Sequence, residues 1–391
     1  MTPGARIAAA IEILDRITAG APAEKVLVTW ARRSRFAGAR DRAAVRDLVF
    51  DVLRRRRSCA ARGGGESGRA LLIGLLRERG EDPAALFTGE GHAPPPLAAC
   101  ETTAGAPPEG AAALDIPDWM LPAFEDSLGN DMAAVCRILR ERAPVWLRVN
   151  TARCTRDEAA RLLADEGIAT RPSDHVDTAL QVTENERRTR NSRAYRQGLA
   201  ELQDLHSQAL CRDLPLAPGA RVLDYCAGGG GKVLALAARQ PRARYFAHDA
   251  APRRMRDLPT RARRAGADIQ LLSCGEASGR APFDLVLCDV PCSGSGAWRR
   301  SPEGKWRLDR PELERLMRMQ VQILEEAKIL VSPGGVLAYA TCSLLRAENE
   351  ARIKAFLAAN PGWVCHFRRR YSPLRGGDGF FLAQLGRKQT I

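Results

Sequence analysis

Three segments of the 391-residue chain place cysteine, aspartate and glycine where chemistry explains them better than packing does. In VLDYCAGGGGKVLALAA (222–238), an apolar run ends at Asp224–Tyr225 and is followed by Cys226, Ala227, Gly228, Gly229, Gly230, Gly231 and Lys232. Glycines allow positive φ and close approach of a ligand to the backbone. A phosphate loop is excluded, because the G-x-x-x-x-G-K-[ST] spacing is missing. Asp249, some 20 positions on in YFAHDAAPRRM, sits where a carboxylate accepts hydrogen bonds from ribose hydroxyls. The structural alternative is a buried turn with a helix cap.

The second segment, FDLVLCDVPCSGSGAWRRSPEGKW (283–306), puts Asp289 at the end of an apolar run and Cys292 three residues later. Cys288, inside the run, has the character of an inert core thiol. The third, GGVLAYATCSLLRAENE (334–350), ends an apolar run at Thr341–Cys342. Two cysteines, each at a strand end, imply a shared cleft. A cysteine thiolate in such a cleft is a candidate nucleophile, and a neighbouring carboxyl group a candidate partner for the group under attack. Asp289 is the candidate for that carboxyl. Lys232 is a candidate for anchoring the cofactor or lowering the pKa of a neighbouring thiol.

The elements that must position these groups follow from periodicity. From residue 219 the pattern alternates short apolar strands (Arg221–Tyr225, Arg244–His248, Asp268–Leu272, Asp284–Asp289, Gly335–Thr341) with helices near 232–239, 252–265, 310–331 and 347–358. That predicts an α/β, doubly wound, Rossmann-like parallel sheet whose ligands bind at the carboxyl ends of the strands. Upstream, Trp146–Asn150 reads as a strand and Thr155 with Glu158 as a capping box for a helix to about Asp165, giving a small α+β unit. A basic loop follows, with Arg187, Arg188, Arg190, Arg193 and Arg196; a solvated loop is the plain reading and an RNA-facing one the functional reading. The first 60 residues carry apolar positions at helical spacing (Ile7, Ile11, Leu14; Val26, Leu27, Trp30; Val45, Leu48, Val49, Leu53), and a further helix is expected at 70–79. Arg54–Arg57 is expected to close a helix, either solvated or facing RNA. Gly- and Pro-rich sequence around 89–110 reads as an irregular connector. The expected division is a helical domain at 1–130, an α+β module at 131–200 and an α/β domain at 201–391.

Composition bounds the partners. Lys and Arg number 60 against 46 Asp and Glu, a formal charge of +14, and residues 1–142 are nearly neutral with 20 basic and 19 acidic groups. The excess therefore lies in 143–391, and a basic surface is a statement about partners, not about fold. With 45% hydrophobic and 27% charged residues the chain is globular, not disordered. There is no long apolar run for a membrane helix and no h-region near the start, where Glu12, Asp15 and Arg16 stand, so a cytoplasmic protein is expected. Eleven cysteines without any C-x-x-C argue against a disulfide framework or a zinc knuckle, and no metal is expected.

Together, DVPCSG, TCS followed by Glu348-Asn349-Glu350, the preceding DYCAGGGGK, LQDLHSQ (202–208) and Gly377-Asp378-Gly379-Phe380-Phe381 resemble the Nop/Sun family of RNA cytosine-5 methyltransferases. The likeness covers 200–391 well. Residues 143–200 resemble that family's RNA-recognition-like module, and the helical start resembles the NusB-like domain of bacterial Sun (RsmB-type) enzymes that modify 16S ribosomal RNA. The resemblance implies S-adenosylmethionine as cofactor, held by Cys226–Lys232, Asp249, Arg254 and Asp289, and RNA as the partner of a monomer. It also implies Cys342 as nucleophile with Cys292 assisting product release; spacing alone does not choose between them. The chain departs from the family after the third strand, where an aspartate usually contacts adenine and Glu276 is the nearest candidate, and at Gly229, where relatives carry proline. Competing readings are a DNA cytosine methyltransferase with a Pro-Cys nucleophile, 5-methylcytosine formation in tRNA or another RNA, and an inactive RNA-binding assembly factor. Amino-group methylation is disfavoured by the absence of an Asp/Asn-Pro-Pro-Tyr/Phe tetrad.

Overall fold

A computed structural model describes residues 1–388, so the last three residues of the expected α/β domain lie outside the described residues. Two compact units are present: Met1–Arg142 with Trp298–Arg307, and Ala143–Ala297 with Leu308 onward.

The helical unit is built on Pro3–Thr18, Ala23–Arg33, Ala39–Arg54, Arg56–Gly63 and Gly68–Glu78. Their apolar stripes close one core containing Ile13, Leu14, Val45, Val49, Leu71 and Leu72. The expected connector is largely irregular but carries short helices at Ala99–Thr103 and Gly110–Ala113.

Arg54 closes the helix Ala39–Arg54 as expected, but the run is not a merely solvated helix end. Arg54 is buried, bonded to Asp51 and to the Arg299 carbonyl at 2.7 Å, while Arg55, Arg56 and Arg57 pair with Glu78, Glu66 and Asp118. The run belongs to the internal wiring of this unit. Its distant partner is Trp298–Arg307: Trp298 stacks on Phe124 with centroids 5.8 Å apart, and Trp306 Nε1 donates to the Leu53 carbonyl at 2.6 Å. Lys305 Nζ donates to the Arg54 carbonyl at 3.0 Å. Burial pushes the Lys305 ammonium down to about 8 against the opposing pull of Asp115.

The second unit holds two sheets. The small one comprises β1 (Val145–Val149), β2 (Thr170–Pro172), β3 (Ala179–Val182) and β4 (Ala200–Leu202), in the antiparallel order β2-β3-β1-β4. Its helix Arg156–Ala164 starts with the capping box: Thr155 Oγ1 accepts from Glu158 N, and Glu158 returns the bond to Thr155 N at 2.8 Å. Glu201 on β4, 2% exposed, takes ion pairs from Arg261 and Arg264 of the larger fold and so locks the two sheets together.

The large sheet has β5 (Arg221–Asp224), β6 (Arg244–His248), β7 (Ile269–Leu272), β8 (Phe283–Asp289), β9 (Val331–Thr341), β10 (Trp363–Tyr371) and β11 (Phe380–Arg387), ordered β10-β11-β9-β8-β5-β6-β7. Strands β5 to β9 are parallel and covered on both faces, which is why they read as continuous apolar runs. The expectation of a wholly parallel sheet fails at one edge, where β11 runs antiparallel to both β9 and β10. The strand order reverses at β5, flanked by β6 and β8, and that reversal opens a crevice at the carboxyl ends.

Candidate active site

Register assembles the site. Asp289 pairs with Ala340, so the last residues of β8 and β9 lie side by side and the turns that follow carry Cys292 and Cys342 together. Their sulfurs are 3.5 Å apart. Gly296 N donates to the Cys342 carbonyl at 2.9 Å and Gly379 N to the Gly296 carbonyl at 2.9 Å. A Cβ on Gly296 would stand 2.1 Å from the Gly379 carbonyl, so the Ser-Gly-Ser-Gly turn needs glycine there. Cys288 is fully buried in the sheet, away from this pair of turns.

The hydrogen bond with Cys342 raises the Cys292 thiol well above its ordinary pKa, and burial and the negative Cys342 and Glu348 act in the same direction.

Lys232 Nζ lies 2.5 Å from Asp289 Oδ2 and 5.2 Å from the centroid of the Phe380 ring. Burial alone would lower the Lys232 pKa, but the Asp289 carboxylate outweighs it and keeps the ammonium charged; Cys342 contributes in the same sense. At the end of β5, Asp224 is 1% exposed and its Oδ1 has no hydrogen-bond partner among the described residues. Burial pushes its carboxyl up to about 7, Asp289 adds to the shift and Lys232 opposes it.

The glycine loop is shaped by two arginines. Asp249 Oδ2 accepts from Gly228 N at 2.9 Å and from Arg254 at 3.0 Å, and Asp249 Oδ1 accepts from Ala251 N at 2.9 Å. Arg261 donates to the Gly229 carbonyl. Gly230, at φ +80°, opens the helix Gly231–Arg239, and a Cβ there would stand 2.2 Å from Leu258. Cys226, Ala227, Gly228–Gly231, Lys232, Asp249, Arg254 and Asp289 thus gather around the carboxyl ends of β5, β6 and β8. Glu276 follows the carboxyl end of β7; it is exposed and its carboxylate accepts from Ser273 N and Oγ, both at 2.6 Å, at the start of its own short helix.

LQDLHSQ and the Gly377–Phe381 segment prove to be one device. Asp204 caps the helix Leu205–Asp213 and accepts from Asp378 N, while His206 Nδ1 lies 2.7 Å from the Asp378 carbonyl. This docking holds the turn before β11, and with it Phe380, over Lys232. Sequence reasoning missed the roles of Asp224 and Arg261. A strand-terminal acid was visible in the first case, and nothing local marked the second. Among the described residues no cluster of three or more His, Cys, Asp or Glu has metal-site geometry, and no helix is long and apolar enough to cross a membrane.

Comparison with known proteins bears on all three regions differently. Residues 213–386 match a family described as 16S rRNA methyltransferase RsmB/F, and residues 116–187 match a ferredoxin-like domain of RsmF/B-like methyltransferases. Ribosomal RNA small subunit methyltransferase B of Klebsiella pneumoniae subsp. pneumoniae is 32% identical over 293 residues, 70% of this chain and 66% of that protein. The protein of the same name from Xanthomonas campestris pv. campestris is 32% identical over 299 residues, 69% of this chain and again 66% of its own length. The match thus spans just under two thirds of these relatives. In fold, the crystal structure of PH0851 superposes with a TM-score of 0.79 at 23% identity, covering 99% of both chains. NSun6 from Pyrococcus horikoshii with SFG gives a TM-score of 0.62 at 18% identity, covering 70% of this chain and 99% of that one. By these matches, the regions 116–187 and 213–386 of the chain belong to the RsmB/F methyltransferase family.

Proposed function

We propose that this protein methylates C5 of a cytosine in RNA, with 16S ribosomal RNA as substrate, acting in the cytoplasm. The observation that carries the reading is the pair of sulfurs 3.5 Å apart, with the ion pair of buried Lys232 and partly exposed Asp289 at the end of β8. A thiol pair of this kind is unnecessary for amino-group or hydroxyl methylation and suits an addition–elimination on a pyrimidine.

S-adenosylmethionine is the cofactor of this family and supplies an electrophilic methyl group. The residues present fit it: the unpartnered Asp224 Oδ1 and the Asp249 carboxylate flank a glycine loop at the end of β5. Asp224 suits a cationic amino group, Asp249 a ribose edge, and Gly228–Gly231 the close approach of the cofactor to the backbone.

Cys342 adds to C6 of the base, forming a C–S bond while the ring electrons move toward N3. Asp289 hydrogen-bonds N3 and the exocyclic amine, and Lys232, kept protonated beside it, can pass it a proton as negative charge develops on the ring. Once C5 carries the methyl group and Cys342 is tied up as a thioether, Cys292 assists release: as a thiolate it takes the C5 proton, the C–H electron pair restores the C5–C6 double bond, and the Cys342 thiolate leaves. The 3.5 Å separation of the two sulfurs, which puts Cys292 within reach of the carbon next to the one Cys342 attacks, supports this division of labour. The exposed Arg187, Arg188, Arg190 and Arg196 supply phosphate contacts that offset the few kcal/mol needed to unstack the target base.

The test is covalent trapping. Cys292→Ala should accumulate a protein–RNA adduct that survives denaturing electrophoresis, whereas Cys342→Ala should give neither adduct nor 5-methylcytosine while still binding the cofactor. An adduct with Cys342→Ala and none with Cys292→Ala would reverse the assignment, as in DNA enzymes. Absence of 5-methylcytosine with the wild-type chain on 30S-derived RNA would refute the function.

A further inference from the structure

The reaction as proposed assigns no work to Glu348, yet this carboxylate is fully buried behind both cysteine turns. Its Oε1 accepts from Ser293 N at 2.9 Å and from Gln320 Nε2 at 3.0 Å. Its Oε2 accepts from Ser293 Oγ and from Ser343 Oγ, both at 2.5 Å. Ser293 follows Cys292 and Ser343 follows Cys342, so one carboxylate grips the residue next to each sulfur. Gln320, on the helix Arg310–Lys328, also donates to the Pro291 carbonyl at 3.0 Å and so fixes the other side of Cys292. Ser295 Oγ lies 3.2 Å from Ser343 Oγ and accepts from Leu344 N at 2.8 Å, closing the network across the two turns.

We infer that Glu348 is a positioning residue whose carboxylate staples the Cys292 turn to the Cys342 turn and so sets the spacing of the two sulfurs. The inference rests on the proposed roles of these cysteines but concerns a different residue and a different property. A buried hydrogen-bonding group on this scale is costly unless satisfied; three of the four donors here come from the two turns, and the fourth, Gln320, also holds the Pro291 carbonyl. Nothing in the arrangement places Glu348 against the base or the cofactor.

Side-chain length and oxygen placement, not charge, should then decide function. Glu348→Gln keeps the reach: its carbonyl oxygen can take the Ser293 N and Gln320 bonds, and its amide can donate to the two serine hydroxyls, which rotate to accept. Glu348→Asp keeps the charge but is one methylene too short to hold both turns. Glu348→Gln should therefore stay close to wild type, while Glu348→Asp and Glu348→Ala lose roughly 100-fold in kcat, the scale of a misplacement of about 1 Å. KM for RNA and Kd for S-adenosylmethionine should not move. An active Glu348→Asp with an inactive Glu348→Gln would overturn the inference in favour of a charge or proton-transfer role. Parallel losses in kcat, cofactor affinity and thermal stability would overturn it in favour of general structural support.

A second readout needs no methylation at all. Diamide takes two electrons and two protons from a pair of thiols, leaving an S–S bond and the hydrazine. Peptide mapping after diamide treatment should show a Cys292–Cys342 linkage in the wild-type chain and in Glu348→Gln, formed at least about tenfold more slowly in Glu348→Ala if the sulfurs are no longer held together. Equal rates in all three would refute the staple. A wild-type chain that shows this dependence yet makes no 5-methylcytosine would leave the staple standing and remove the proposed function instead.

Discussion

The substitution Asp224→Asn tests whether the buried strand-end carboxyl is a proton reservoir in the free protein. Its folded-state pKa is about 7 against an ordinary value of 3.8, raised first by burial and then by Asp289. Between those values the folded chain holds a proton that the unfolded chain has released. Stability therefore falls as pH rises: the contribution is complete below 3.8 and gone above 7. The slope is about 1.36 kcal/mol per pH unit for one proton. From pH 5 to pH 8 the native state crosses about two such units, so Asp224 should cost the wild-type chain about 3 kcal/mol. The amide of the variant cannot ionise and should escape the loss. Urea unfolding of both proteins, followed by circular dichroism at pH 5, 6, 7 and 8, would show the variant gaining on wild type across that range and levelling off above pH 7. Curves that stay parallel would mean that Asp224 is ionised throughout, and the argument from its unpartnered oxygen would fall with it.

Three further outcomes are expected. Asp249→Ala should weaken S-adenosylmethionine binding by about 1–3 kcal/mol in calorimetry, because it removes a ribose acceptor and frees Gly228 N; unchanged affinity would take Asp249 out of the site. Glu201→Ala leaves Arg261 and Arg264 without their buried partner and should destabilise the second unit by about 3–5 kcal/mol in thermal or urea melts; a loss under about 1 kcal/mol would show the pair to be solvated. A chain starting at residue 143 leaves Trp298, Lys305 and Trp306 without their surroundings, and should be less soluble and methylate RNA poorly; full activity on the native substrate would refute any role of the helical unit in docking.

What the sequence disclosed depended on how locally each feature is encoded. Strands β5, β6 and β8 could be read because burial on both faces demands uninterrupted apolar runs, and each ends at a residue type that packing does not explain. Strand β10 escaped notice: His366, Arg368, Arg369 and Arg370 break up any apolar run along this edge strand, whose exposed positions tolerate charge. β11 is apolar and buried, but its antiparallel pairing with β9 is a property of chain path and leaves no mark in its own eight residues. The paired cysteines were foreseeable as neighbours. The carboxylate that holds their turns was visible only as part of a motif, because its partners come from three separate stretches of chain. Arg54 shows the same limit most plainly, since the carbonyl that its buried guanidinium bonds lies 245 residues away.

Time enters through the placement of Trp298–Arg307. The helical unit leaves the ribosome first, but one piece of it is encoded after another 155 residues, 143–297, have been made. At about 5–20 residues per second, roughly 10–30 s pass before that piece emerges. Throughout that interval Phe124 lacks its stacking partner, and Asp115 and the Arg54 carbonyl lack the ammonium of Lys305. The N-terminal unit therefore cannot finish folding as an independent bead during synthesis. It must wait, partly open, until a stretch encoded inside the sequence of the second unit arrives to complete its interior.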